Sequence, residues 1–213
     1  MAVLTQPIDA AWAALARARS ARALHPDGHA HRAVLEVPGG AGTGVALFDE
    51  QATHAAVARL SRATGVPPPL PDALGLAVRV PDLHGPGRHQ DILVTTSADV
   101  PGLHHLPLPA PRGPFGQAYS SLLPHRMNGR RVLLGALPDP DEGTFRLAIC
   151  HVGGRFAPVA TLRLGDRLPD DAAERLRFNP WNTGGGLAPG GGPVQRSRAA
   201  AYRGSQRARA ARG

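Results

Sequence analysis

Glycine and proline interrupt this chain so often that long helices have almost nowhere to form. The 213 residues include 26 glycines and 22 prolines. Between these breaks lie short apolar runs with strand character: 30–37, 74–80, 91–96, 131–137, 144–152 and 156–164. The first alternates, with Ala33, Leu35 and Val37 on one face and Arg32, Val34 and Glu36 on the other, the period-2 mark of a half-buried strand. Residues 55–61 fit a helix or a strand equally well by period. Many short strands joined by glycine and proline turns predict a closed antiparallel sheet. The expected fold class is α+β: an antiparallel β-barrel with a few flanking helices.

The helices are expected at the margins. Asp9 is placed to cap a helix over 9–19, Asp49 to start a brief one, and Asp170 or Asp171 to cap one reaching Leu176. Residues 67–71 read as a proline-rich turn, and 103–124 as an irregular segment packed over the surface. A glycine-rich connection after Pro180 leads to an arginine-rich helix over about 194–212. The expected division is an N-terminal arm over 1–19 and one barrel domain over 20–213.

Hydrophobic residues make up 42% of the chain, ordinary for a globule, but aromatics only 4%, so Leu, Val and Ala must fill the core. The net charge is +8, and every basic side chain apart from histidine is an arginine. Six arginines and no acid fall between Arg196 and Gly213. Such a tail suits a polyanion or a membrane surface. No aromatic platform or groove-reading motif accompanies it, which argues against a nucleic-acid partner. The single cysteine, Cys150, sits in an apolar run and reads as a packed core thiol. No run approaches the roughly 18 apolar residues of a membrane span, and no signal segment opens the chain, so the expected location is cytoplasmic.

The tail carries the most specific pattern. Arg198 and Tyr202 are four residues apart, and Tyr202 and Arg209 seven. At roughly 100° per residue all three share one helix face. A free phenol has a pKa of about 10, and a guanidinium beside it favours the phenolate, which binds ferric iron well.

Four segments then resemble the haem catalase superfamily in order, as a reduced member lacking the C-terminal helical domain. They are Arg22-Ala-Leu-His25-Pro-Asp-Gly28; Ala58-Arg59-Leu60-Ser61; the strands 75–80 and 90–96; and the stretch from Leu162 through Phe178-Asn-Pro180 to Arg198, Tyr202 and Arg209. The resemblance spans roughly 19–209 and implies haem b as cofactor. It places His25 over the iron to move a proton on a bound peroxide. It gives Arg22, Arg59 and Arg198 to the haem propionates, whose carboxylates suit arginine's planar fork. Tyr202 becomes the axial ligand and metal-binding residue, and Arg209 holds it as phenolate, the catalase arrangement. Thr96 stands where the family has its distal asparagine, and Ser97-Ala-Asp-Val replaces the aromatic wall that follows. The resemblance implies peroxide or an organic hydroperoxide as substrate, and a peroxidase with weak catalase activity. The family's tetramer-building parts have no counterpart here, which leaves homo-oligomer formation open. The alternatives are a haem carrier or sensor without turnover, and a haem-free barrel with another role such as phosphoester hydrolysis. Metal-assisted hydrolysis calls for clustered His and carboxylates. The pairs His84/His89 and His104/His105 and the group His25, His29 and His31 show no obvious carboxylate partner.

Overall fold

In the computed structural model, residues 28–62, 71–139, 141 and 143–191 are described. The expected helices over 9–19 and 194–212, most of the turn at 67–71, and the candidates Arg22, His25, Arg198, Tyr202 and Arg209 lie outside the described residues.

The fold is an antiparallel β-barrel. Its strands are β1 (His29–Val37), β2 (Ala52–Arg62), β3 (Leu74–Val80), β4 (Gln90–Thr96), β5 (Tyr119–Ser120), β6 (His125–Met127), β7 (Arg130–Pro138), β8 (Thr144–His151), β9 (Ala157–Arg167) and β10 (Leu187–Pro189). Neighbours run β7-β5-β4-β3-β2-β1-β9-β8, and β8 pairs again with β7, closing eight strands into a ring. β5 and β6 lie end to end along the other edge of β7, and β10 extends the sheet beyond β6.

Alternation decides which side chains fill the ring. Ala33, Leu35 and Val37 of β1 point inward, with Ala56 and Ala58 of β2, Leu76, Val78 and Val80 of β3, and Ile92 and Val94 of β4. Eight strands leave an interior that side chains can fill. Phe145 anchors it, with Phe115 at 5.0 Å and Tyr119 edge-on at 5.7 Å between ring centroids. Residues 55–61, ambiguous by period, belong to β2, because the ladders to β1 and β3 bury Ala56 and Ala58.

Three expectations are corrected. The irregular segment 103–124 does not stay on the surface: Ala118 to Leu122 are buried, and β5 completes the wall between β4 and β7. Asp49 ends its helix rather than starting it. In α1 (Ala46–Asp49) its carboxylate reaches back to accept from Thr43 N at 2.8 Å, Thr43 Oγ1 at 2.9 Å and Gly44 N at 2.6 Å, closing the glycine-rich loop 39–44. In α2 (Asp170–Arg175) Pro169 holds the N-cap position and neither aspartate caps by its side chain. Asp170 and Asp171 pair instead with Arg167 and Arg175, while their charge complements the helix N-terminus.

A second cluster lies outside the ring. Leu133, Ala148 and Cys150 point away from the core yet are buried. Phe156 covers this face. A Cβ on Gly135 would lie 2.5 Å from its ring, so only glycine fits there. The loop 98–110 closes over the same surface through His104, whose ring packs 4.3 Å from that of Phe156.

Candidate functional site

The outer surface of β2, β3 and β4 gathers the described positions that the sequence marks for chemistry. Since Ala58, Leu76, Val78, Ile92 and Val94 point inward, their neighbours point outward, and the ladders align them. Arg59 pairs across to Ala77 and Ala77 to Leu93; Ser61 pairs to Gly75, Gly75 to Thr95 and Thr95 to Ser120. The outcome is a shelf of mostly small side chains bordered by one long cation. Ser61, Gly75, Ala77 and Leu93 are half-buried, and Thr95 is buried.

Arg59 is itself half-buried and runs toward β1, where a Cβ on Gly28 would lie 2.8 Å from its Nε. Burial pulls its guanidinium below the ordinary value, and the positive charge of Arg177 pulls it further. Both causes penalise the cation.

Arg177 is brought to this surface by a network that sequence reading missed. Asp91, buried on the outer side of β4, takes Arg79 in a two-pronged pair, Nε to Oδ1 at 2.7 Å and Nη2 to Oδ2 at 2.7 Å. The same carboxylate accepts from Asn179 N at 2.7 Å and Asn182 Nδ2 at 2.9 Å, and Asp91 N donates to Asn182 O at 2.7 Å. Arg79 also donates to the Arg177 carbonyl and lies over the Phe178 ring. Next to it, buried Gln90 accepts from Thr183 Oγ1 at 3.2 Å. The segment 177–183 is thereby fastened along the start of β4. The sequence signal was a charge in each of two adjoining strands, Arg79 and Asp91.

Of the candidates, only Arg59 and Thr96 are among the described residues, and the barrel does not bring them together. Thr96 has the inward parity of Ile92 and Val94. It is fully buried; its hydroxyl donates to Leu108 O at 2.6 Å and accepts from Leu74 N at 2.9 Å. It fastens the loop 98–110 to the barrel end, while Thr95 is the threonine that shares a face with Arg59.

The chain has two tyrosines. Tyr119 is wholly buried in the core, donates to Pro114 O at 2.8 Å, and has its phenol pushed up by burial. It stays a neutral phenol, unsuited to metal ligation.

The histidine pairs serve the scaffold. His84 faces Gln90 Oε1 at 3.0 Å, and Asp82 N donates to His89. His104 sets its two ring nitrogens against Ala98 O at 2.9 Å and Gly154 O at 3.1 Å; His105 Nδ1 faces Leu122 O at 2.5 Å. Among the described residues, no group of three or more His, Cys, Asp or Glu could hold a metal ion.

Ring closure and strand order define an eight-stranded antiparallel barrel that is catalase-like in fold. The solved structure of a bacterial catalase matches it with a TM-score of 0.58 over 85% of this chain, at 14% sequence identity. This chain spans 56% of the length of that catalase. At such identity the likeness shows the fold alone. No family model matches the sequence, and no curated protein does.

Proposed function

We propose that this protein is a haem-dependent peroxidase or hydroperoxide-converting protein built on the catalase-like barrel. One observation carries the reading: a half-buried arginine, with a second arginine's charge upon it, borders a shelf of small side chains. A porphyrin is flat and apolar and carries two carboxylates at one edge. The residues present fit such a group: Gly75 and Ala77 leave room for a plane, and Arg59 offers a fork to a carboxylate.

In this reading Arg22, Arg59 and Arg198 hold the propionates. Tyr202 would hold the iron, since Tyr119 is committed to the core, and Arg209 would keep it ionised. When bound, haem supplies the redox chemistry that cleaves an O–O bond. His25 takes the proton of the incoming peroxide and returns it to the leaving oxygen. Thr95 places a hydroxyl on the shelf. A hydroxyl donates or accepts, where the asparagine amide of the family only donates from its nitrogen, so dismutation of hydrogen peroxide is expected to be weak and turnover with an organic donor stronger.

Haem transfer to an apoprotein acceptor tests the reading. Arg59→Ala should release haem about tenfold faster than the wild type, the loss of one charge-assisted contact. Equal release rates would remove Arg59 from the site.

A haem carrier or sensor without turnover is the second reading. It is favoured by the lack of an asparagine on the shelf, where Thr95 offers only a hydroxyl while Thr96 spends its own proton on Leu108 O at the barrel end. Peroxide with an organic donor separates the two: sustained turnover supports the enzyme, and bleaching alone supports the carrier.

A further inference from the structure

Among the described residues, six large hydrophobic side chains are exposed, and five of them occur in one place. Val100, Leu103, Leu106 and Leu108 belong to the loop 98–110, and Val152 to the adjoining turn after β8; they are 40–48% exposed. The turn and the loop touch where His104 meets Gly154 and Phe156. Single exposed leucines are ordinary, whereas a contiguous group marks a contact surface.

The loop is turned inside out for a segment facing water. One of its two imidazoles, His104, is buried, and its leucines are outside. Many bonds hold it so. Leu108 N donates to Thr96 O at 2.9 Å, Thr96 Oγ1 donates to Leu108 O, and His105 faces Leu122 O. Pro101, Pro107 and Pro109 stiffen the backbone between these points. The leucines are therefore held out by the scaffold.

Charge identifies the occupant. Arg112 follows the loop, Arg155 follows the turn, and both are exposed. Asp99 is the one acid between 97 and 112 or between 151 and 156. A second copy would bring the same two arginines against this one, with Asp99 as the one acid in these segments to meet them. A bilayer with anionic headgroups offers the complement: an acyl boundary for the leucines and phosphates for the arginines.

We propose that the loop 98–110, with Val152, is a docking surface for membranes containing anionic lipid. The chain lies on the bilayer rather than crossing it. The contact does not depend on the haem reading.

Sedimentation of the full chain with phosphatidylcholine vesicles, with and without phosphatidylglycerol, tests this. The wild type should bind the vesicles containing phosphatidylglycerol, and Leu103→Asp/Leu106→Asp should weaken that binding by at least about tenfold. Both side chains are exposed, so the barrel should tolerate the change. Leu103→Ser/Leu106→Ser serves if circular dichroism shows the aspartate variant unfolded, and should also reduce binding. Three outcomes would overturn the proposal: no binding to phosphatidylglycerol vesicles, equal binding by wild type and variants, or light scattering showing that the substitutions turn a dimer into a monomer.

Discussion

Asp91 grips Arg79 through two hydrogen bonds of 2.7 Å each, and the same carboxylate receives donors from Asn179 and Asn182. One strand residue thus fixes a segment almost ninety positions later, which carries Arg177 to the edge of the shelf. Asp91→Ala would leave a nearly buried guanidinium without its partner and two further donors without an acceptor. The expected loss is about 3–5 kcal/mol in urea unfolding. Asp91→Asn keeps acceptor capacity and should lose less. A loss below 1 kcal/mol in Asp91→Ala would show that the network is not holding the segment.

Thr96 and Thr95 should separate by what they affect. Thr96→Val removes a buried hydroxyl that both donates and accepts, and should cost about 1–3 kcal/mol of stability. Per bound haem, its peroxidase turnover should match the wild type. Thr95→Val should lower turnover by more than its cost in stability explains. The reverse pattern would return the chemical role to Thr96.

Gly135→Ala should be destabilising by about 1–3 kcal/mol, because its methyl group would overlap the Phe156 ring. Adding Phe156→Leu should recover part of that loss. A double-mutant cycle checks this, and additive effects would mean that the ring is not the obstacle.

Acid should open the glycine-rich loop before it unfolds the barrel. The Thr43 amide, foremost, holds the Asp49 carboxyl below its ordinary value; slight burial opposes this, and the Thr43 hydroxyl with the Gly44 and Val45 amides adds to the lowering. A depressed folded-state value means that the contribution is present above the unfolded pKa of about 4 and is lost as pH falls through the folded one. Protection of the Thr43 and Gly44 amides against exchange, relative to their intrinsic rates at each pH, should fall below about pH 4, and Asp49→Asn should remove that pH dependence. Undiminished protection on acidification would contradict the loop's reliance on the carboxylate.

Cys150 reports on the outer cluster. Burial pushes its thiol up to about 11; Asp99 adds to this, and the Leu133 backbone opposes it. The thiolate is the reactive form, so alkylation of the folded protein near neutral pH should be slow. His104→Ala removes the imidazole set between Ala98 and Gly154 and should speed labelling, as mass spectrometry would read. Unchanged labelling would show that His104 does not hold the loop in place.

β1 could be read from the sequence because its side chains alternate, as Ala33, Leu35 and Val37 do, and β3, β4, β7, β8 and β9 because they are apolar runs set between glycine and proline breaks. β5, β6 and β10 could not, because two or three residues give no period; tertiary pairing to β4 and β7 makes Tyr119 and Ser120 part of the wall. Arg59 was legible as a cation inside an apolar run. Which way Thr95 and Thr96 face was not: the two are adjacent and alike in sequence, and only the strand pairing sets them on opposite faces. Asp49 and Asp170 each sat where a helix cap is expected, yet one carboxylate found amides upstream and the other an arginine.

The absorbance spectrum of the purified chain loaded with ferric haem tests Tyr202 most directly. A ferric tyrosinate absorbance is expected in the wild type and in Tyr119→Phe, and should disappear in Tyr202→Phe. The same spectrum in Tyr202→Phe as in the wild type would contradict the account.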